Sequence, residues 1–279
     1  MSTIDESLST TRNGELKENL ASLESAIAMY GGKPGHLFSL LRTDNAFVRN
    51  VAMAMIRAES GFIETKTAKV LLKKFIFALE DWVTFWSVSF TEEEVRKEIT
   101  FPWNDDILNS PCPFNKGKLI KNTHFAFLGL PCINNEPLTV LKWHALRPWS
   151  NRPRIWFSQL KPWCSGEHFA KDTTLELRWY LLLKNIIPDS TNKMPDEQEQ
   201  MLPPEYEIPT TIAEVTKNFL VSYKANYRPN PSQWARCKDF TSQGFLSCVG
   251  RFKDDGFVVG YWNNFRRGHG NIGMGASRK

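Results

Sequence analysis

Much that would announce a chemistry is missing from this sequence. No apolar run approaches the roughly 20 residues that a membrane-spanning helix needs, and residues 1–14 are polar and mildly acidic, without the basic and apolar regions of a secretory signal. Cysteine is sparse: Cys112, Cys132, Cys164, Cys237 and Cys248 are odd in number and widely scattered, with no CxxC and no Cys/His ligand spacing. That pattern excludes a zinc cluster of ordinary spacing and gives no disulfide framework, so a reduced cytoplasmic chain with no metal and no cofactor is expected. The catalytic signatures are absent too. There is no GxSxG elbow, no Walker loop and no HExxH, and His124, His144 and His168 stand alone. A protein that binds rather than catalyses is the expectation.

What is present is bulk and aromatic surface. The 279 residues exceed what one small core needs, so two modules are expected. Hydrophobic residues make up 42% and charged ones 23%, ordinary globular usage, and 10 Trp with 19 Phe supply large cores. The net charge of +5 is uneven. From Arg251 onward six basic residues face two acidic ones, leaving +4 of that excess in the tail. A basic end favours acidic partners, nucleic acid among them, although a solvated rim looks the same in sequence.

The first hundred residues read as helical. Apolar positions recur at helical spacing over 15–30, over 44–61 and over 68–82, and Thr91 with Glu94 forms a capping box for a fourth helix. Closely spaced helices invite a DNA-binding helix-turn-helix, but no basic recognition helix stands out. Near Phe101-Pro102-Trp103 the texture changes. His124–Leu130 reads as a buried strand; 175–183 is strand or helix, and its apolar run does not decide. A short helix is expected over Glu197–Met201, and Thr211–Lys224 carries Ile212, Val215, Phe219 and Leu220 on one face, an amphipathic pattern. Short segments at 235–240, 245–252, 256–262 and 272–278, separated by Gly, Asp and Asn, read as an antiparallel meander. The fold class is therefore α+β, with a helical module over 1–103 and a ligand-binding domain over 104–279. Within it the His124 strand is expected beside the C-terminal strand, with the Thr211 helix behind.

Few constellations could carry chemistry. Asp105-Asp106 sits at a helix start, where capping is the simpler role. Gly268–Gly270 and Gly273–Gly275 follow no strand-to-helix transition, a poor phosphate cradle. A Cys237/Cys248 nucleophile or copper pair competes with two buried thiols on neighbouring strands. The segment Tyr261-Trp262-Asn263-Asn264-Phe265-Arg266-Arg267-Gly268-His269-Gly270-Asn271 is different. Aromatic, amide, guanidinium and glycine residues alternate there without an apolar period, as in a paratope. A turn alone favours Asn and Gly but not Tyr, Trp, Phe and two Arg together.

A resemblance follows from these residues. From about Asn104 the chain resembles uncharacterised proteins of environmental bacteria and archaea, in Cys112-Pro113-Phe114, Thr123-His124-Phe125, Leu202 to Pro209, Ala235 to Asp239, Gly256 to Val259, Trp262 and Ile272 to Lys279. That ending also resembles the variable proteins of diversity-generating retroelements, which implies a C-type-lectin-like fold and residues diversified through adenines of Asn-type codons. Every residue of 261–271 except Trp262 is reachable from such codons; Gly273-Met274 departs from the usual Gly-Phe closure. The residue chemistry points to an unknown ligand, a protein by preference, with Tyr261, Trp262 and Phe265 as anchors and Arg251, Arg266 and Arg267 as charged contacts. Asn263, Asn264, His269 and Asn271 would complete the surface, unless Trp262 serves the core. Two rivals stand beside it: a formylglycine-generating-enzyme-like oxidoreductase using Cys237 and Cys248, and nucleic-acid binding by the basic tail.

Overall fold

The computed structural model describes residues 63–146, 153–156, 162–254, 256–262 and 268–279, with isolated positions between 21 and 43. The chain falls into two compact units, Met1–Ser60 and Gly61–Lys279, and the second is described nearly throughout. The helix expected over 15–30 lies largely outside the described residues, and that over 44–61 wholly so.

The second unit begins with β1 (Ile63–Glu64), α1 (Thr65–Leu72), a 3-10 turn at Lys73–Phe75, β2 (Ile76–Phe77), α2 (Leu79–Trp86), α3 (Glu92–Ile99) and β3 (Thr100–Phe101). There follow α4 (Asp105–Asn109), α5 (Ile120–Thr123), β4 (His124–Leu128), β5 (Cys132–Ile133), β6 (Glu136–Pro137), α6 (Val140–Ala145) and β7 (Arg154–Trp156). After a second 3-10 turn, Trp163–Gly166, come α7 (His168–Lys171), β8 (Trp179–Leu183), α8 (Pro195–Glu199), β9 (Tyr206–Glu207) and α9 (Thr211–Ala225). The chain closes with β10 (Trp234–Phe240), β11 (Leu246–Lys253), β12 (Gly256–Trp262), β13 (Ile272–Met274) and β14 (Ser277–Arg278). This is a mixed α+β architecture. Two five-stranded sheets dominate it, one in the order β2-β4-β8-β14-β9 and one in the order β13-β10-β11-β12-β7.

Several expectations need correcting. No module boundary falls at residue 103: β2 pairs in parallel with β4, and Phe77 and Trp82 share a core with Phe125 and Phe219. Nor is 68–82 one helix. Helix α1 ends at Lys73, whose φ is 55°, and Ile76 and Phe77 enter the first sheet with both side chains buried. A short apolar run buried on both faces of a sheet has no period that separates it from a buried helix. Strands β4 and β8 obey the same logic. Phe125, Phe127, Tyr180 and Leu182 face one core, while Ala126, Leu128, Trp179, Leu181 and Leu183 face another. The capping box at Thr91 is present, with the Glu94 amide donating to Thr91 Oγ1. At α4 the cap is Asn104, whose Oδ1 accepts from the Ile107 amide at 2.9 Å, and Asp105 and Asp106 occupy the first turn. Acids there complement the helix dipole.

The C-terminus forms more than a meander. Strands β10, β11 and β12 are antiparallel neighbours as expected, but β13 runs parallel to β10 and β7 parallel to β12. The chain then crosses sheets. Strand β14 pairs with β8 and β9, so β8 lies between it and β4, and the expected contact between β4 and the C-terminal strand does not form. Backbone bonds stitch the crossing, Ile187 N–H donating to Met274 O and Leu183 N–H to Ala276 O.

Helix α9 packs between the sheets, and it is not amphipathic: Glu214, Thr216, Lys217 and Asn218 are as buried as Ile212, Val215 and Leu220. Glu214 and Lys217 form an ion pair one turn apart, and Lys217 Nζ also donates to Leu183 O at 3.1 Å. Burial pushes the Glu214 carboxyl above its ordinary value, opposed by the Lys217 charge. Removing one member of such a pair leaves a buried group uncompensated. Lys217→Met is therefore expected to cost about 3–5 kcal/mol in urea unfolding, part of which Glu214→Gln in the same chain restores.

His124 supplies a pH test. Its Nε2 meets Tyr206 Oη at 3.1 Å and its Nδ1 meets Thr123 Oγ1 at 2.9 Å, in a fully buried setting. Burial lowers its pKa from 6.5 to about 3, with the Arg278, Lys184 and Lys217 charges acting in the same direction. The folded state thus binds fewer protons than the unfolded one between these values. Its contribution is present above pH 6.5 and is lost as the pH falls towards 3. The urea midpoint should decline across that window, and His124→Gln should flatten the decline.

Candidate functional site

The outer face of the second sheet carries a concavity of about 600 Å³. The strand register explains its walls. Trp234 lies opposite Gly250, Arg236 opposite Cys248, Cys248 opposite Gly260, and Leu246 opposite Trp262. These residues share one face because side chains alternate along a strand. The other face carries Ala235, Cys237, Val249, Phe257 and Val259, all buried, and this is the face turned towards α9. On the outer face glycine leaves room. A Cβ on Gly260 would stand 3.1 Å from Trp234 Cζ3, so the indole lies directly over that glycine. Gly250 is needed for a closer approach, since a Cβ there would fall 2.2 Å from Gln233 O.

Strand β11 kinks beside the concavity. Its register with β12 shifts between Gly250 and Lys253, and Arg251 adopts φ 51°, in the left-handed region. The kink places Arg251 and Lys253 on the wall, both exposed. The opposite wall is the turn at 269–271. Asn192 N–H donates to His269 O at 3.0 Å, Ile272 N–H to the same oxygen at 3.2 Å, and Trp234 N–H to Asn271 O at 2.8 Å. Gly268 packs so tightly on Asn192 that a Cβ would sit 2.0 Å from its carbonyl carbon.

Five residues expected in the site therefore line one concavity: Arg251, Tyr261, Trp262, His269 and Asn271. Asn263, Asn264, Phe265, Arg266 and Arg267 lie outside the described residues. The roles of the five differ from one another. Register turns Tyr261 to the helix-side face. There its ring stacks on Phe245 at 5.6 Å and meets Trp163 edge-on at 4.8 Å, while the residue stays 45% exposed. Trp262 is half-buried, so it is not a core residue, and its ring meets His269 at 4.2 Å in a T-shaped contact. Its Nε1–H is buried with no partner among the described residues. Such an unmet donor costs about 1–3 kcal/mol. His269 Nδ1 accepts from the Asn271 amide at 3.1 Å, so the neutral ring carries its proton on Nε2.

Pro231, Ser232, Trp234, Cys248, Lys253 and Ile272 complete the lining. The sequence carries no signal for Trp234, because its place two strands away on the same face is a matter of register.

The cysteine pair does not assemble. Arg236 and Cys248 face each other across the ladder, so Cys237, one residue on, points to the opposite side of the sheet. Both thiols are free and buried. Burial pushes Cys248 up to about 12 and Cys237 well above its ordinary value, the opposite of an activated nucleophile. Among the described residues no three His, Cys, Asp or Glu side chains gather to hold a metal, and no helix is long and apolar enough to cross a membrane. Comparison with protein-family models, with curated proteins and with solved structures returns no match.

In a thiol assay at pH 8 the folded chain should leave Cys237, Cys248 and Cys164 unreacted, Cys164 being pushed up to about 12 as well. Half-buried Cys132 should react first, and all five only in denaturant. Prompt reaction of Cys248 in the folded chain would contradict the burial described.

Proposed function

We propose that this chain is a non-catalytic ligand-binding protein whose recognition surface is the concavity between the β11 kink and the 269–271 turn. One observation carries the reading. Arg251, Tyr261, Trp262, His269 and Asn271, picked out by residue type, come from three separate stretches of chain and line the same space. The volume lies within the range of ordinary ligand sites, and the mixture of indole, amide, imidazole and guanidinium suits recognition. The ligand is a protein, in keeping with the paratope-like composition. The lectin-like character of the fold, a role as the variable protein of a diversity-generating retroelement, and a reduced cytoplasmic setting for the five free cysteines belong to the same proposal.

A selection tests it. The full chain is challenged with a phage-displayed random-peptide library. Enriched peptides should bind the unaltered chain and lose binding to Trp262→Ala and Asn271→Ala, while both variants keep their thermal midpoints within a few degrees, since neither residue is buried in the core. Failure to enrich any peptide, or collapse of both variants, would sink the reading. A reverse transcriptase gene and an imperfect copy of the gene's 3′ end in the neighbouring DNA would identify the retroelement class.

A further inference from the structure

Among the described residues that line the concavity, the formal charges have one sign. Arg251 and Lys253 line it, and no Asp or Glu is among the lining residues. The nearest described acid in sequence, Asp254, is taken by Arg228. Among the described residues neither Arg251 nor Lys253 has an ion-pair partner. The polar groups that accompany them add donors: the unpartnered Trp262 Nε1–H, the His269 Nε2–H of the neutral tautomer and the Asn271 amide. Two cations held beside an indole-walled hollow repel each other. Field lines focus in such a hollow, so an entering anion relieves the repulsion. Pro231, Trp234 and Ile272 add apolar surface, and Ser232 adds a hydroxyl.

We infer that the concavity takes an acidic side chain of a peptide or protein partner, with an apolar or aromatic neighbour of that side chain against Trp234 and Trp262. This rests on the binding role proposed for the same surface and names the chemistry it selects. Carboxylate and site match in kind: a carboxylate only accepts, and the site offers guanidinium, ammonium and ring N–H donors. A nucleic acid fits the same surface less well. Its affinity comes from many phosphates tracked along a basic stripe, and this concavity offers two formal cations beside two indoles.

The peptides selected on the full chain provide the test. The enriched set should carry Asp or Glu next to an aromatic or aliphatic residue. Replacing that acid by its amide should weaken binding about tenfold or more, and Arg251→Gln with Lys253→Gln should abolish the difference between acid and amide forms. Enriched peptides without an acid, or with one whose amide form binds equally well, would overturn this inference and leave the binding role standing. No enrichment at all would overturn both. Oligothymidylate that displaces the selected peptides, with affinity that falls steeply with salt and is lost in Arg251→Gln/Lys253→Gln, would overturn it in favour of nucleic acid.

Discussion

The second unit is organised around the sealing of α9 between two sheets. A helix buried all round gains most where its polar groups are met, and this one carries Glu214, Thr216, Lys217 and Asn218 into the interior, the Asn218 amide alone of these four side chains having no partner among the described residues. Lys217 answers Glu214 and the Leu183 carbonyl on β8; Thr216 Oγ1 accepts from Trp143 Nε1 at 2.8 Å; Thr211 Oγ1 meets Ser247 on β11 and Asp239 on β10. These bonds tie the helix to both sheets at once. Apolar packing alone, such as Trp143 stacked on Phe219 at 4.7 Å, tolerates sliding, whereas a buried polar group left unmet does not. Fixing α9 dictates which face of each sheet is core. The consequence for the second sheet is an outer face left free, near β11 and β12, to be hollowed.

How much of this the amino-acid order reveals depends on whether a signal is local. The Thr91 capping box and the β10–β12 meander rest on neighbours within a few residues, and both are present. The failures are all non-local. Ile76-Phe77 is a strand because β4 lies beside it, not because of anything in its own run. Helix α9 looks amphipathic in sequence since Lys217 and Glu214 are charged; only the partner carbonyl on β8 makes them interior residues. The separation of β13 from β14 is invisible in a continuous stretch, because the sheet each one joins is set by strands tens of residues away.

The site divides in the same way. Residue types marked out Trp262, His269 and Asn271, since that mixture has no packing period to explain it. Trp234 and Lys253 escaped because their membership is a fact of register: Trp234 reaches the hollow through its place opposite Gly250 and over Gly260. Of the two readings of Cys248, the buried thiol on a neighbouring strand is the one observed. Its thiol is a small buried floor beside Gly260, and parity puts Cys237 beyond its reach on the other side of the sheet.

The manner in which the 269–271 wall is held bears on whether its side chains are free to differ. Three of its anchors are backbone to backbone: Asn192 to His269, Ile272 to His269 and Trp234 to Asn271. Such bonds do not depend on the side chain at the position, proline excepted. Gly268, by contrast, cannot gain a Cβ without striking Asn192, and Gly273 is pressed against Ile186 and Ser190. A wall with backbone anchors between two sterically fixed glycines holds its path while His269, Gly270 and Asn271 change. The constraint falls on the frame and the freedom on the residues that line the hollow, which is the division a recognition surface under diversification would need.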